Sequence, residues 1–181
     1  MEMIFDSSTL ILLAKIDLLR ESAEDISIVI PQKVKEECLL KDSLDALLIR
    51  TLFAEGKIKV EKAGNQEAVR KLQADFRIEA GEAQALWLGK RLGCPLAVDD
   101  GPTIKACKVL GVRFVTAIHF LINLRARGKL ELPMALAKLD ALATYGRYSR
   151  RIIEDTAQTA KRRKLNGCYK LAAERPRLGK A

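Results

Sequence analysis

The seven residues Pro95 to Gly101, PLAVDDG, restrict the fold of this 181-residue chain more than any other stretch. Leu96, Ala97 and Val98 form an apolar run too short for a helix and with no polar face to turn to water. Such a strand is buried on both sides, as in a parallel sheet covered by helices. The run then breaks into two carboxylates and a glycine. That pattern marks the carboxyl edge of a strand turning into a helix, the edge at which ligands bind in open parallel sheets. The same grammar opens the chain, where Met3, Ile4 and Phe5 run into Asp6, Ser7 and Ser8. If the two strands lie side by side, three carboxylates meet in one crevice.

The intervening chain alternates in the same way. Met3 to Asp6 reads as the first strand, and Ser7 or Ser8 as the cap of a helix with Leu10, Leu13, Ala14 and Asp17 at helical spacing. Ile26 to Ile30, rich in β-branched residues, is the second strand, and Pro31 opens a helix that carries Val34 and Leu39 inward. Asp42 to Glu55 is an amphipathic helix through Leu44, Leu47, Leu48 and Leu52. Lys57 to Glu61 alternates like a half-buried edge strand. A polar helix over Asn65 to Phe76 and an apolar one over GEAQALWLGKRLG, closed by Gly93, lead into the PLAVDD strand. Then follow a helix from Pro102 to Leu110, a fifth strand from Val112 to Thr116, and helices over Ile118 to Arg127, Pro133 to Thr144 and Ser149 to Arg163. Strands alternating with helices specify a three-layer α/β/α sandwich around a parallel sheet of about five strands. The candidate boundary falls near Gly146, dividing a body of residues 1–148 from a basic helix and tail of residues 149–181.

Charge follows that division. From Gly146 onward there are 11 Lys and Arg against 3 Asp and Glu, whereas the preceding residues hold 21 against 20. A basic tail on a nearly neutral body points to a polyanionic partner, nucleic acid first. The plainer reading is a solvated terminus that aids solubility. No apolar run approaches the roughly 20 residues needed to span a bilayer, and the amino terminus does not read as a leader, so a cytoplasmic location without membrane contact is expected. Cys38, Cys94, Cys107 and Cys168 are scattered, without a CxxC pair or a Cys/His cluster, and read as free thiols. His119 is the only histidine. It weakens any mechanism built on a partnered histidine base and reads as a residue that caps or packs near a helix start.

Five carboxylates fall where this architecture could gather them: Asp6, Glu37, Glu82, Asp99 and Asp100. Gathered carboxylates repel one another, and a hard cation relieves the repulsion. Oxygen ligands without His or Cys point to Mg2+ or Mn2+. A cation so held lowers the pKa of a bound water and neutralises a phosphodiester, so metal-dependent hydrolysis of nucleic acid is the natural chemistry. Singly, each acid has a plainer role. Glu82 could complement a helix dipole, and Asp6 or Asp99 could cap a helix. A helix aims only one of Glu36 and Glu37 at a cleft.

Together the residues resemble a known family. Asp6-Ser7-Ser8, Pro31-x-x-Val34-x-x-Glu37, Gly81-Glu82-Ala83-x-Ala85-Leu86 and Val98-Asp99-Asp100, followed by Ala106 and Gly111, look like the PIN-domain nucleases. The prokaryotic branch related to VapC-type toxins is the nearest in appearance, and Gly146-Arg147-Tyr148-Ser149 after a leucine-rich helix also looks like that branch. The resemblance extends to about Ser149. It implies strand order 3-2-1-4-5, a magnesium- or manganese-dependent ribonuclease, a homodimer and a small antitoxin protein as partner. By position, Asp6 matches the family's first aspartate, Glu37 its helical glutamate and Glu82 a site of Asp or Glu. Asp100 fits the acid after the fourth strand, with Asp99 a second candidate. Ser8 stands where a small polar residue supports the metal or its water, and Thr116 where the fifth strand ends in a hydroxyl. Gln84 departs from the pattern, standing where related sequences often carry a second glutamate.

The reading that follows has Asp6, Glu82 and either Asp99 or Asp100 binding the ion, with Glu37 ligating it or orienting the attacking water. Arg147, Arg150, Arg151, Lys161, Arg162, Arg163 and Lys164 would hold RNA phosphates without reading sequence. The rival is a catalytically idle module that binds nucleic acid or an antitoxin. Phosphotransfer through an aspartyl phosphate fits less well, because Lys105 follows the acids too closely and Asp6 lacks a DxD spacing.

Overall fold

Five short strands supply the centre of the molecule, and their apolar content explains why they pair in parallel. They are β1 (Glu2–Phe5), β2 (Ser27–Pro31), β3 (Ile58–Glu61), β4 (Leu96–Ala97) and β5 (Phe114–Val115). This computed structural model describes residues 1–40 and 42–162. The sheet runs β3-β2-β1-β4-β5, and every pairing is parallel. Met3, Ile4 and Phe5 in β1 are fully buried, as are Leu96, Ala97 and Val98, so both central strands are covered on both faces. At the edge only Ile58 of β3 is buried, which is the half-wet strand that KIKVE specifies.

Ten helices surround the sheet among the described residues: α1 (Ser7–Lys15), α2 (Leu19–Asp25), α3 (Gln32–Leu39), α4 (Leu44–Ala54), α5 (Gln66–Phe76), α6 (Ala80–Leu92), α7 (Gly101–Leu110), α8 (Ala117–Ala126), α9 (Leu132–Tyr145) and α10 (Arg150–Lys161). The architecture is the expected α/β/α sandwich of order 3-2-1-4-5. Helices α5, α6 and α7 pack on one another, and α6 lies on β1, β2 and β4. α1 contacts α8 and α9, while α10 packs against α8 and α9. Phe5 of β1 meets Phe120 of α8 with ring centroids 5.5 Å apart, tying the central strand to that layer.

Several local expectations are corrected. Asp6 caps α1, with its side chain accepting from the Thr9 N–H, whereas Ser7 and Ser8 lie inside the helix. The α1 pattern stops short of Asp17, which has a φ of 53° and turns the chain into α2, a helix with no counterpart in the sequence reading. Helix α4 buries Ala46, Ile49 and Leu52, leaving Leu44 and Leu47 87% and 57% exposed. A leucine-rich helix offers more than one apolar stripe, and packing on α1 and α3 selects among them. Strands β4 and β5 are shorter than expected, although the Val98 N–H still donates to the Val115 carbonyl at 2.9 Å.

Candidate active site

The site is set by the register of two strands. Ile4 pairs with Leu96 and Phe5 with Ala97, so the next residue on each strand emerges at the same sheet edge. The Asp6 N–H closes the ladder on the Ala97 carbonyl at 3.1 Å. Beyond that bond Asp6 turns into α1, while the neighbouring strand reaches Asp99 and Asp100 and turns into α7. A cleft of about 490 Å³ opens there, lined by Ser7, Ser8, Glu79, Glu82, Asp99 and Asp100 on its acidic side and by Lys15, Arg77 and Arg147 among its other walls. Asp6 lies fully buried beneath it.

Asp6, Asp99, Asp100 and Glu82 are each oriented by donors nearby in the chain or across the cleft. Asp6 Oδ1 accepts from the Thr9 N–H at 2.8 Å and Oδ2 from the Ser8 hydroxyl at 2.7 Å. Thr9 Oγ1 donates across to Asp99 Oδ2 at 2.8 Å, so one fully buried threonine ties the two aspartates together. Asp100 caps α7, its Oδ2 accepting from the N–H and hydroxyl of Thr103 at 2.9 and 2.8 Å. Glu82 Oε2 accepts from the Glu79 N–H at 2.9 Å, closing the first turn of α6. Glu37 reaches the same turn from α3. A Cβ at Gly81 would overlap its carboxylate, so the glycine permits the approach, and the positive end of α6 favours the charge. Gln84, in the next turn, accepts from the Lys33 N–H of α3 at 3.4 Å.

Burial dominates the electrostatics. It pushes the Asp6 carboxyl from 3.8 to about 7, with the nearby Asp99 charge adding to the rise and the bonds from Thr9 and Ser8 opposing it. Asp99 is raised by burial against the bonds from Tyr148, Thr9 and Ala117. Glu82 is raised by burial and then by the charges of Asp100 and Glu79. Among the described residues no group of three or more His, Cys, Asp or Glu side chains stands arranged to hold a metal ion. Asp6 and Asp99 share Thr9, while the Asp100 charge and the Thr103 hydroxyl both act on Glu82. The donor chemistry, all carboxylate oxygen with Asp6, Asp99 and Glu82 made weaker acids by burial, fits a hard divalent cation.

Thr116 stands apart from the cleft walls. It is the N-cap of α8, its hydroxyl 3.0 Å from His119 Nδ1, and the Thr116 N–H donates to that nitrogen at 3.1 Å. His119 thus occupies the helix-start role expected of it. Of the basic residues, Arg147 lines the cleft. Arg150 and Arg151 pair along α10 with Glu154 and Asp155 at 2.7 and 3.9 Å. Lys161 and Arg162 are exposed at the end of α10, and Arg163, Lys164 and Cys168 lie outside the described residues. Cys38 and Cys107 are buried and Cys94 half-buried, all three as free thiols.

Four participants escaped the sequence reading. Thr9 and Thr103 each sit three residues past an aspartate, a spacing that marks a cap and could have flagged them. Lys15 and Arg77 join Arg147 in the cleft and form no ion pair among the described residues. Arg77 also has a φ of 54°, in the left-handed region that favours glycine. Tyr148, already part of the Gly-Arg-Tyr-Ser motif, turned out to donate its hydroxyl to Asp99 Oδ1.

No helix among the described residues is long and apolar enough to cross a membrane. A family profile described as a PIN domain matches residues 2–162. No curated protein and no solved structure matches the chain. The profile runs from the first strand to the end of α10 and takes in every acid of the cleft, so the chain belongs to the PIN-domain family, whose members are generally nucleases.

Proposed function

We propose that the protein is a divalent-metal-dependent endoribonuclease. What carries the reading is the parallel pairing of β1 with β4, which sets Asp6 beside Asp99 and Asp100 under a cleft walled by Glu82 and by three cations without ion pairs among the described residues. Mg2+ or Mn2+ bound there would supply an activated water and neutralise the charge developing on the phosphodiester.

We assign Asp6, Glu82 and Asp100 as the residues that would hold the ion. Asp100 Oδ1 takes no hydrogen bond from any described residue, and Asp6 keeps a free lone pair on each oxygen. Asp99 differs, because three donors, the hydroxyls of Tyr148 and Thr9 and an Ala117 N–H shared between both oxygens, already engage its carboxylate on each side. Its part is to support Asp6 through Thr9. Glu37, lodged against α6, would orient the attacking water, and the Ser8 hydroxyl would steady Asp6. Lys15, Arg77 and Arg147 would hold the flanking phosphates on either side of the scissile one.

The role implied by the family resemblance is the toxin of a toxin–antitoxin pair, acting in the cytoplasm as a homodimer. The exposed Leu40, Leu44 and Leu47, 82%, 87% and 57% accessible, would suit such self-association. The reading is tested with labelled RNA in EDTA and with added manganese. Cleavage should require the metal and vanish in a carefully purified Asp6→Asn variant that remains folded. Undiminished cleavage by that variant would sink the assignment, and binding without turnover by the wild type would favour the idle module.

A further inference from the structure

Asp99 is the most heavily bonded acid of the cleft, and its partners come from three parts of the chain. Thr9 Oγ1 in α1 donates to Oδ2 at 2.8 Å, and the Ala117 N–H at the start of α8 lies 3.2 and 3.1 Å from the two oxygens. The third donor is the Tyr148 hydroxyl, 49 residues downstream of Asp99 in the connection between α9 and α10. That connection is shaped to deliver it. Gly146 ends α9, its N–H closing on the Leu142 carbonyl at 2.8 Å. A Cβ at Gly146 would come within 2.7 Å of Tyr148 Cε2 and 2.8 Å of Cδ2, so the ring lies where only glycine fits beneath it. On the other side Ser149 caps α10, accepting from the Ile152 N–H at 3.4 Å. α10 in turn packs on α8 and α9, and the Tyr148 ring packs against the core.

We infer that residues 146–149 form a strap, fastened by α10, in which Tyr148 is a positioning residue for the cation site: its hydroxyl fixes Asp99, and Asp99 fixes Asp6 through Thr9. The inference rests on the reading above that Asp6 holds the ion. The contacts run without a gap, since the threonine that donates its hydroxyl to Asp99 donates its N–H to Asp6 Oδ1 at 2.8 Å. Burial and the adjoining Asp99 charge raise the Tyr148 phenol well above its ordinary value, so it remains a donor. A carboxylate held at both oxygens cannot swing into the cleft, and Thr9, whose backbone N–H serves Asp6, is thereby anchored at its side chain as well. The C-terminal segment is therefore part of the site, although the last acid of the cleft, Asp100, precedes Gly146 by 46 residues.

Tyr148→Phe keeps the ring and removes only the hydroxyl, while Gly146→Ala pushes the ring from its seat. The experiment uses the full-length, metal-free protein: manganese is titrated calorimetrically into wild type, each variant and the double variant. In parallel, kcat and KM are measured on labelled RNA, with thermal melts to establish folding. Each single variant should bind manganese about tenfold more weakly, the scale expected for losing one supporting partner of a ligand. The kcat should fall about tenfold with KM within about twofold, and the double variant should lose no more than either single one, since both act on one contact. A folded Tyr148→Phe protein with wild-type manganese affinity overturns the inference. So does a rise in KM at unchanged manganese affinity, which would mean that the tyrosine touches RNA. If the wild type binds manganese but cuts no RNA, the nuclease reading fails and the strap is judged by the titration alone, where a tenfold loss supports it and equal affinity refutes it.

Discussion

Replacing Asp6 by Asn should make the metal-free protein more stable at pH 8 while abolishing its metal chemistry. Asp6 is fully buried, and burial carries its pKa from 3.8 to about 7. Because the folded value lies above the unfolded one, the native state binds the extra proton between them, and the free energy of unfolding falls as pH rises from about 4 to about 7. Below that window the carboxyl is neutral in both states. Above it the group is charged in both, and the destabilisation is complete. At about 1.4 kcal/mol for each tenfold change in proton affinity, the ceiling is about 4 kcal/mol. Asparagine keeps the cap, since its Oδ1 can still accept from the Thr9 N–H, yet it stays neutral at every pH. Urea denaturation of both proteins in EDTA, at pH 5, 6, 7 and 8, should show the wild type losing stability with rising pH and the variant losing much less. A shallow slope of the same sign should survive in the variant, because Glu82 and Asp99 are raised as well. Parallel pH curves, or a variant less stable than wild type at pH 8, would refute the reasoning. Added manganese should then reverse the order by stabilising only the wild type, as a ligand that binds the native state alone must.

Thr9→Val keeps the shape of a fully buried side chain but removes the donor to Asp99; the denaturant midpoint should drop by the equivalent of about 1–3 kcal/mol with unchanged slope, and a drop below about 0.5 kcal/mol would contradict the bridge. Asp100→Ala should lose about 1 kcal/mol with the α7 cap as well as cleavage, whereas Asp100→Asn should lose only cleavage; equal stabilities for the pair would argue against the cap. Gly81→Ala gains about 1 kcal/mol of helix propensity yet sets a methyl on the Glu37 carboxylate, so melting should move little while cleavage falls, and an unchanged rate would remove Glu37 from the mechanism.

The strands were legible because segments buried on both faces leave continuous apolar runs, and because Asp6 and Asp99 stand where such runs stop; their order 3-2-1-4-5 was what the family resemblance implied. The amphipathic helices were legible as well, but not which stripe faces inward. Leu44 and Leu47 of α4 carry the same hydropathy as the buried Ile49 and Leu52, and only the surfaces of α1 and α3 choose between them. The cap of α1 was misassigned because Asp6, Ser7 and Ser8 all have capping chemistry. The end of β1 decides, since Asp6 is the last residue bonded to β4 and the first with its side chain free to turn back on Thr9.

Sequence alone determined the parallel sheet and put forward five acids as an all-oxygen site, because both readings follow from local composition and spacing. Tertiary structure decided what distinguishes the acids from one another. Asp99 and Asp100 are neighbours of the same type, yet one accepts from α1, α8 and the strap before α10 while the other caps α7 with one oxygen to spare. Those donors lie up to 90 residues away along the chain. A carboxylate's role depends on which lone pairs are already taken, and distant segments take them only when the sheet closes.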